Sequence, residues 1–202
     1  YVKYANYITI SNCYLNNSRN AVHCYETWVL TLENIISEKN YNGLFAEKGS
    51  TFNSLKIYNY YSAYNEGYGL YFQHCTGTQI VLLETISNEL DGIFIEGGEW
   101  MEFTNVICDF SRYGVHLTTP SDSEPTRGIR FTHLWCGSND ENGAYIEKLC
   151  QRITINSGHF RDNAKEPILN EGDYVIISNV VIETKSKEYA GIRNKGYHTI
   201  VS

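Results

Sequence analysis

The sequence predicts an all-β parallel solenoid of about eight coils, and three observations predict it. A glycine precedes an alternating apolar strand at regular intervals. A second strand, ending in a polar residue, recurs with the same period. Nothing between them has the period of a helix. The glycines are Gly43, Gly69, Gly92, Gly114, Gly143 and Gly191, in contexts such as Asn42-Gly43-Leu44-Phe45-Ala46-Glu47 and Asp91-Gly92-Ile93-Phe94-Ile95-Glu96. Their steps are 26, 23, 22, 29 and 48 residues, the last being two periods of 24. A period in the twenties without a helix implies a coiled sheet.

The polar column runs Asn12, Asn34, Asn59, Glu84, Asn105, His133, Ser157 and Asn179. Each residue closes a strand such as Ile8-Thr9-Ile10-Ser11-Asn12 or Leu30-Thr31-Leu32-Glu33-Asn34. A third short strand follows, as at Cys13-Tyr14-Leu15 and Val106-Ile107, so three parallel sheets are expected, with about 4.8 Å per coil. An inward Asn at each turn is expected to bond the turn backbone and the Asn of the next coil, satisfying buried polar groups. A leucine-rich repeat has a similar period, but its Asn falls three residues after the second leucine, and here it falls two after. The other half of each repeat also alternates, which leaves no room for that fold's helix.

The 202 residues read as one domain, 1–202, with strand pattern running at both ends. Open strand edges need caps, so the chain is expected to be a segment of a longer protein or to be capped by neighbouring chains. A net charge of −7 with 16 Lys and Arg lacks the basic stripe that nucleic acid requires. No apolar run is long enough for membrane insertion, and no signal peptide is visible. The six cysteines, Cys13, Cys24, Cys75, Cys108, Cys136 and Cys150, have no metal-ligand spacing and read as reduced thiols of a chain made in a reducing cytosol. No nucleotide-binding or hydrolase motif is present, and neither cofactor nor metal is expected.

The two columns in register, the eight coils and the Asn ladder resemble the right-handed, single-stranded parallel β-helix of the pectate-lyase-like superfamily. The resemblance covers nearly the whole chain and is a resemblance of fold. It implies binding or cutting of polysaccharides. The calcium-binding Asp cluster and catalytic Arg of pectate lyases are missing, as are the motifs of polygalacturonases. The Tyr-rich, signal-less chain is therefore most similar to bacteriophage tailspikes and appendages. That implies a virion or extracellular protein, a homotrimer, and host recognition through a bacterial surface polysaccharide, bound and in one version hydrolysed. The alternatives are a non-catalytic structural or adhesive β-helix, whose aromatic face is a subunit interface, and a secreted polysaccharide lyase or epimerase.

The site candidates come from strand parity. Positions one and three after each glycine face inward, so positions two and four face outward. Position two reads His23, Phe45, Tyr71, Phe94, His116 and Tyr145; position four reads Tyr25, Glu47, Gln73, Glu96, Thr118, Glu147 and Glu171. Phe45, Tyr71, Phe94, His116, Tyr145, Gln73 and Trp100 are the expected substrate-binding residues, with flat rings stacking on sugars and carboxylates taking hydroxyls. Glu96, flanked by Phe94 and Trp100, is the candidate acid. Glu47 or Glu147, two coils away, is the candidate base at about the spacing of an inverting glycosidase. Asp91, Asp109 and Arg112 form a second cluster near the turns. The insertion 119–127 is expected to wall a groove.

Overall fold

A computed structural model describes residues 1–47 and 54–202. Among these residues there are twenty strands and no helix. Each coil places one strand in each of two sheets, and the named strands pair in parallel with the coils above and below. The nine-stranded sheet holds the glycine strands, including Asn42–Glu47, Leu70–Gln73, Ile93–Glu96, Val115–Thr118 and Ala144–Ile146. The eleven-stranded sheet holds the polar-column strands, including Leu30–Glu38, Leu55–Ala63, Gln79–Ile86, Glu102–Asp109 and Arg130–Gly137.

Parity places the core between the sheets. Leu44, Ala46, Leu70, Phe72, Ile93, Ile95, Val115 and Leu117 are buried from one side, and Leu32, Ile57, Ile80, Phe103 and Phe131 from the other. Each large apolar side chain removed from water contributes about 2 kcal/mol. The glycine column has a steric cause. A Cβ on Gly69 would lie 2.5 Å from the carbonyl oxygen of Gly92, and one on Gly43 would lie 2.4 Å from that of Gly69. The double step between Gly143 and Gly191 is filled by Pro167, as the register Ala144–Ile168–Ile192 requires.

The polar column is real, but it differs from the expectation in two ways. Its residues adopt left-handed φ, 54° at Asn12, 53° at Asn34, 54° at Asn59 and 56° at Asn105. In the fourth coil that position belongs to Leu82, at φ 60°, and not to Glu84. The pairing of Ile57 with Ile80 and Tyr60 with Leu83 fixes this register. The column also points outward. A left-handed residue breaks strand parity, so Glu33 and Asn34 are both exposed while Ile35 is buried. The Asn side chains form an outer ladder: Asn34 Nδ2 donates to Asn12 Oδ1 at 3.0 Å, and Asn59 Nδ2 to Asn34 Oδ1 at 2.9 Å.

A second ladder satisfies the interior. Asn40, Asn65, Asn88, Ser111, Asn139 and Asn163 each lie six residues after the bend and are buried. Each follows a second left-handed corner, formed by Lys39, Tyr64, Ser87, Phe110, Ser138 and Asp162. Asn65 Nδ2 donates to Asn88 Oδ1 at 2.8 Å, and Asn139 Nδ2 to Asn163 Oδ1 at 2.9 Å.

The expected third sheet does not stand apart. Its strands are the C-terminal halves of long strands such as Leu30–Glu38, which stay paired on both sides of the bend. Only in the last coils do they separate, as His159–Arg161 and Val181–Glu183. Five cysteines are buried and Cys13 is half-buried. Burial pushes the Cys24 thiol up to about 12. No helix among the described residues is long and apolar enough to cross a membrane.

Candidate functional site: a ring ladder with carboxylates

The outer surface of the nine-stranded sheet brings the position-two residues into one column. Tyr1, His23, Phe45, Tyr71, Phe94, His116 and Tyr145 follow one another with centroid spacings of 4.6, 5.0, 4.9, 5.0, 5.0 and 5.2 Å. These spacings match the rise per coil. Tyr68 packs on Phe94 at 5.0 Å and Tyr113 on Tyr145 at 5.7 Å, bracing the column from one side. The interplanar angle is 25° for His23 with Phe45 and 12° for His116 with Tyr145. These two pairs stack, and the other four pairs of the column are tilted by 32° to 56°. His23, Phe45, Tyr71, Phe94 and Tyr145 are half-buried, His116 is buried, and Tyr1 at the end of the column is exposed. The Tyr71 hydroxyl and the Nε2 atoms of His23 and His116 point toward neighbouring carboxylates, and His116 Nδ1 points to the buried Asp91.

The position-four carboxylates stand beside this column, each held by donors. Glu47 Oε2 lies 2.7 Å from His23 Nε2. Glu96 Oε2 accepts from the Tyr71 hydroxyl at 2.5 Å and from Gln73 Nε2 at 3.1 Å. Glu147 accepts from Thr118 Oγ1 at 2.6 Å and faces His116 Nε2 at 2.8 Å. Burial, then the hydrogen bond to Glu96, raises the Tyr71 hydroxyl above its ordinary range. Burial and the nearby Glu171 and Glu147 push Tyr145 up to about 12. Glu47, Glu96 and Glu147 occupy alternate coils, with Gln73 and Thr118 between them.

Behind the column sits an ion cluster that sequence reasoning placed only loosely. Asp91 is fully buried and receives Arg112 Nε at 2.8 Å and Nη2 at 3.0 Å. A buried carboxylate is tolerated when so paired. The same carboxylate lies 3.0 Å from His116 Nδ1, so His116 is clamped between Asp91 and Glu147. Asp109 does not join it. That carboxylate accepts from Trp135 Nε1 at 3.1 Å and Gly137 N at 2.7 Å, and burial raises it above the usual carboxylate range.

Trp100 does not flank Glu96. It sits at a left-handed corner with φ 53°, its ring against Gly128 of the next coil, and borders a separate groove with Arg130, Arg152 and Tyr174. The insertion folds back on itself, with Thr126 N donating to Thr119 Oγ1 at 3.0 Å. Ser121 and Glu124 bridge each other, and Glu124 comes within 3.8 Å of His74. His133, expected inward, is the outward bend residue of its coil.

One feature went unseen in the sequence. A trough of about 780 Å³ runs along the bend of the eleven-stranded sheet, floored by Ile36, Tyr61, Leu82, Ile107 and Trp135 and edged by Asn34, Asn59, Asn105, Glu38 and Glu84. Its signal is the apolar residue two places after the bend at Ile36, Tyr61, Ile107 and Trp135, where the flipped parity makes it outward; in the fourth coil that place is Glu84 and the bend residue Leu82 supplies the apolar surface.

The profile of a family described as "Periplasmic copper-binding protein (NosD)" matches residues 51–202. Copper prefers thiolate, thioether and imidazole ligands. The donors here do not fit it. Burial holds the Cys75 and Cys136 thiols well above their ordinary range, and Met101 is enclosed in the core. Both ring nitrogens of His116 face carboxylates, and Nε2 of His23 faces Glu47. Among the described residues no three His, Cys, Asp or Glu side chains converge on a metal position.

Two solved structures share the fold. A double mutant of the periplasmic alginate epimerase AlgG superposes with a TM-score of 0.53 at 13% identity, over 92% of this chain and 49% of that one. The surface protein and adhesin PfbA of Streptococcus pneumoniae gives 0.51 at 8% identity, over 99% and 68%. The chain thus spans about half the length of the epimerase. No curated protein matches its sequence. With the family profile aligned to well over half of its residues, the chain belongs to the NosD family.

Proposed function

We propose that this β-solenoid binds an extended polysaccharide along the ladder side of its nine-stranded sheet, outside the cytoplasm. The observation that carries the reading is the regular comb of carboxylates and ring edges, one rung per coil, through Phe45, Tyr71, Phe94, His116 and Tyr145. A repeating surface suits a repeating ligand lying parallel to the solenoid axis. The periplasmic alginate epimerase and the surface adhesin share this fold, which supports an extracytoplasmic reading. In the hydrolytic version Glu96 is the acid and Glu47 or Glu147 the base. His116, clamped by Asp91, orients Glu147.

The test is oligosaccharide binding by calorimetry, followed by reducing-end release. Tyr71→Ala and Tyr145→Ala remove two rungs and are expected to abolish binding. Glu96→Gln is expected to abolish release and to leave binding measurable. Binding unchanged by both Tyr variants refutes the site.

A second reading makes the same face a subunit interface of a trimeric, tailspike-like phage protein that recognises its host. The exposed tyrosines Tyr1, Tyr4 and Tyr41 favour it. Solution mass decides it: a trimer that Tyr71→Ala and Tyr145→Ala split supports the interface, and a monomer removes it.

A further inference from the structure

We infer that the polymer taken by this face carries free amino groups on an extended, equatorially linked pyranose chain, and is not a polyuronate. This rests on the binding reading above. The first argument is charge. Glu47, Glu96 and Glu147 point their carboxylates along the ladder, and among the described residues none of them meets a Lys or Arg. Three cations bordering the face are paired with other acids, Arg112 with Asp91 at 2.8 Å, Lys195 with Glu171 at 2.7 Å and Arg193 with Glu166 at 2.6 Å, while Lys3 lies over the Tyr4 and Tyr25 rings at one end of the carboxylate column and Lys148 follows Glu147. A chain of acid sugars laid here meets like charge at every second coil. An ammonium-bearing chain meets opposite charge.

The second argument is register. Sheet strands stack at about 4.8 Å, so alternate coils repeat at roughly twice that distance. In an extended equatorially linked chain each sugar advances by about one coil rise, and successive sugars are flipped. Substituents on the same side therefore recur every second sugar. That is the spacing of Glu47, Glu96 and Glu147, with Gln73 and Thr118 facing the flipped sugars between them. An extended peptide advances by about 3.3 Å per residue and falls out of register with the coils.

The experiment is calorimetric titration of the full chain with four probes. These are a β-1,4-linked glucosamine hexamer, its N-acetylated counterpart, a β-1,4-linked mannuronate hexamer and a lysine hexapeptide. The glucosamine hexamer is expected to bind best, with an affinity that falls as salt rises. N-acetylation is expected to weaken binding about tenfold, the sum of a few exposed ion pairs. Glu47→Gln combined with Glu96→Gln is expected to erase the preference and leave a folded chain by circular dichroism. Equal binding of the N-acetylated or mannuronate hexamer overturns the charge argument and leaves the polysaccharide site standing. Equal binding of the lysine peptide overturns the register argument. Failure of all three sugars to bind overturns the site itself.

Discussion

Removing one rung of the inner Asn ladder measures how much that ladder holds together. Asn65 is 1% exposed and sits at the centre of the ladder. Its Oδ1 accepts from Asn40 N at 3.0 Å, and its Nδ2 donates to Asn88 Oδ1 at 2.8 Å and to Ser62 Oγ at 3.1 Å. In Asn65→Ala these three bonds vanish along with a fourth, from Asn40 Nδ2 to Asn65 Oδ1 at 3.3 Å, but the neighbours fare differently: Asn40 Nδ2 keeps the Leu15 and Glu38 carbonyls. Asn88 Oδ1 still accepts from the backbone N–H of residue 65, at 3.3 Å in the native chain. Ser62 Oγ still donates to the Gly69 carbonyl at 3.0 Å. The Asn40 N–H has no other acceptor in the ladder and is left buried and unsatisfied. One orphaned donor costs about 2 kcal/mol and the lost bonds about 0.5–1 kcal/mol each, so the loss is about 3–4 kcal/mol. The control is Asn59→Gly in the outer ladder. It removes a comparable side-chain bond that is solvent-exposed and keeps a residue suited to φ 54°, so the change is within about 0.5 kcal/mol. Urea unfolding followed by far-ultraviolet circular dichroism compares the two. Equal losses for the variants, or less than about 1 kcal/mol for Asn65→Ala, refute the reasoning that the buried ladder is obligatory.

Three further outcomes follow from the same geometry. Gly69→Ala drives a Cβ to within 2.5 Å of the Gly92 carbonyl and is expected to cost about 3 kcal/mol, read as a lower urea midpoint. Leu82→Asn places a residue tolerant of left-handed φ at 60°, extends the outer ladder and is expected to raise stability by about 1 kcal/mol, read in the same assay. Tyr145, raised to about 12 in the fold, stays neutral where an unfolded tyrosine ionises near 10. Its contribution is therefore complete below pH about 10 and is lost as pH climbs toward 12, so the stability gap between the native chain and Tyr145→Phe narrows over that window. A gap that widens there contradicts the sign.

The fold was legible because two columns obey sterics that leave few choices. A glycine packed under the next coil's carbonyl and a core residue such as Phe72 or Ile95 follow from period and parity alone. Parity failed wherever a residue took left-handed φ. The rule of two, carried across the bend, puts Asn34 and His133 inward, and the polar pattern puts Glu84 in the column where Leu82 takes the bend. The buried ladder of Asn40, Asn65, Asn88 and Asn139 was missed for the same reason, although its six-residue offset from the bend is constant. Within the candidate site, the alternation of rings and acids was readable. The clamp of His116 between Asp91 and Glu147 was not, since it joins residues 25 and 31 apart in sequence through coil stacking. Trp100 misled by proximity in sequence, because the corner between it and Glu96 turns the chain away.

A complex of the full chain with a β-1,4-linked hexasaccharide, solved by crystallography, tests the proposed recognition most directly. Sugar density is expected along Phe45, Tyr71, Phe94, His116 and Tyr145, one ring per coil, with carboxylates of Glu47, Glu96 and Glu147 contacting alternate sugars. Density lodged instead in the trough of Leu82, Ile107 and Trp135, or none on either sheet, contradicts it.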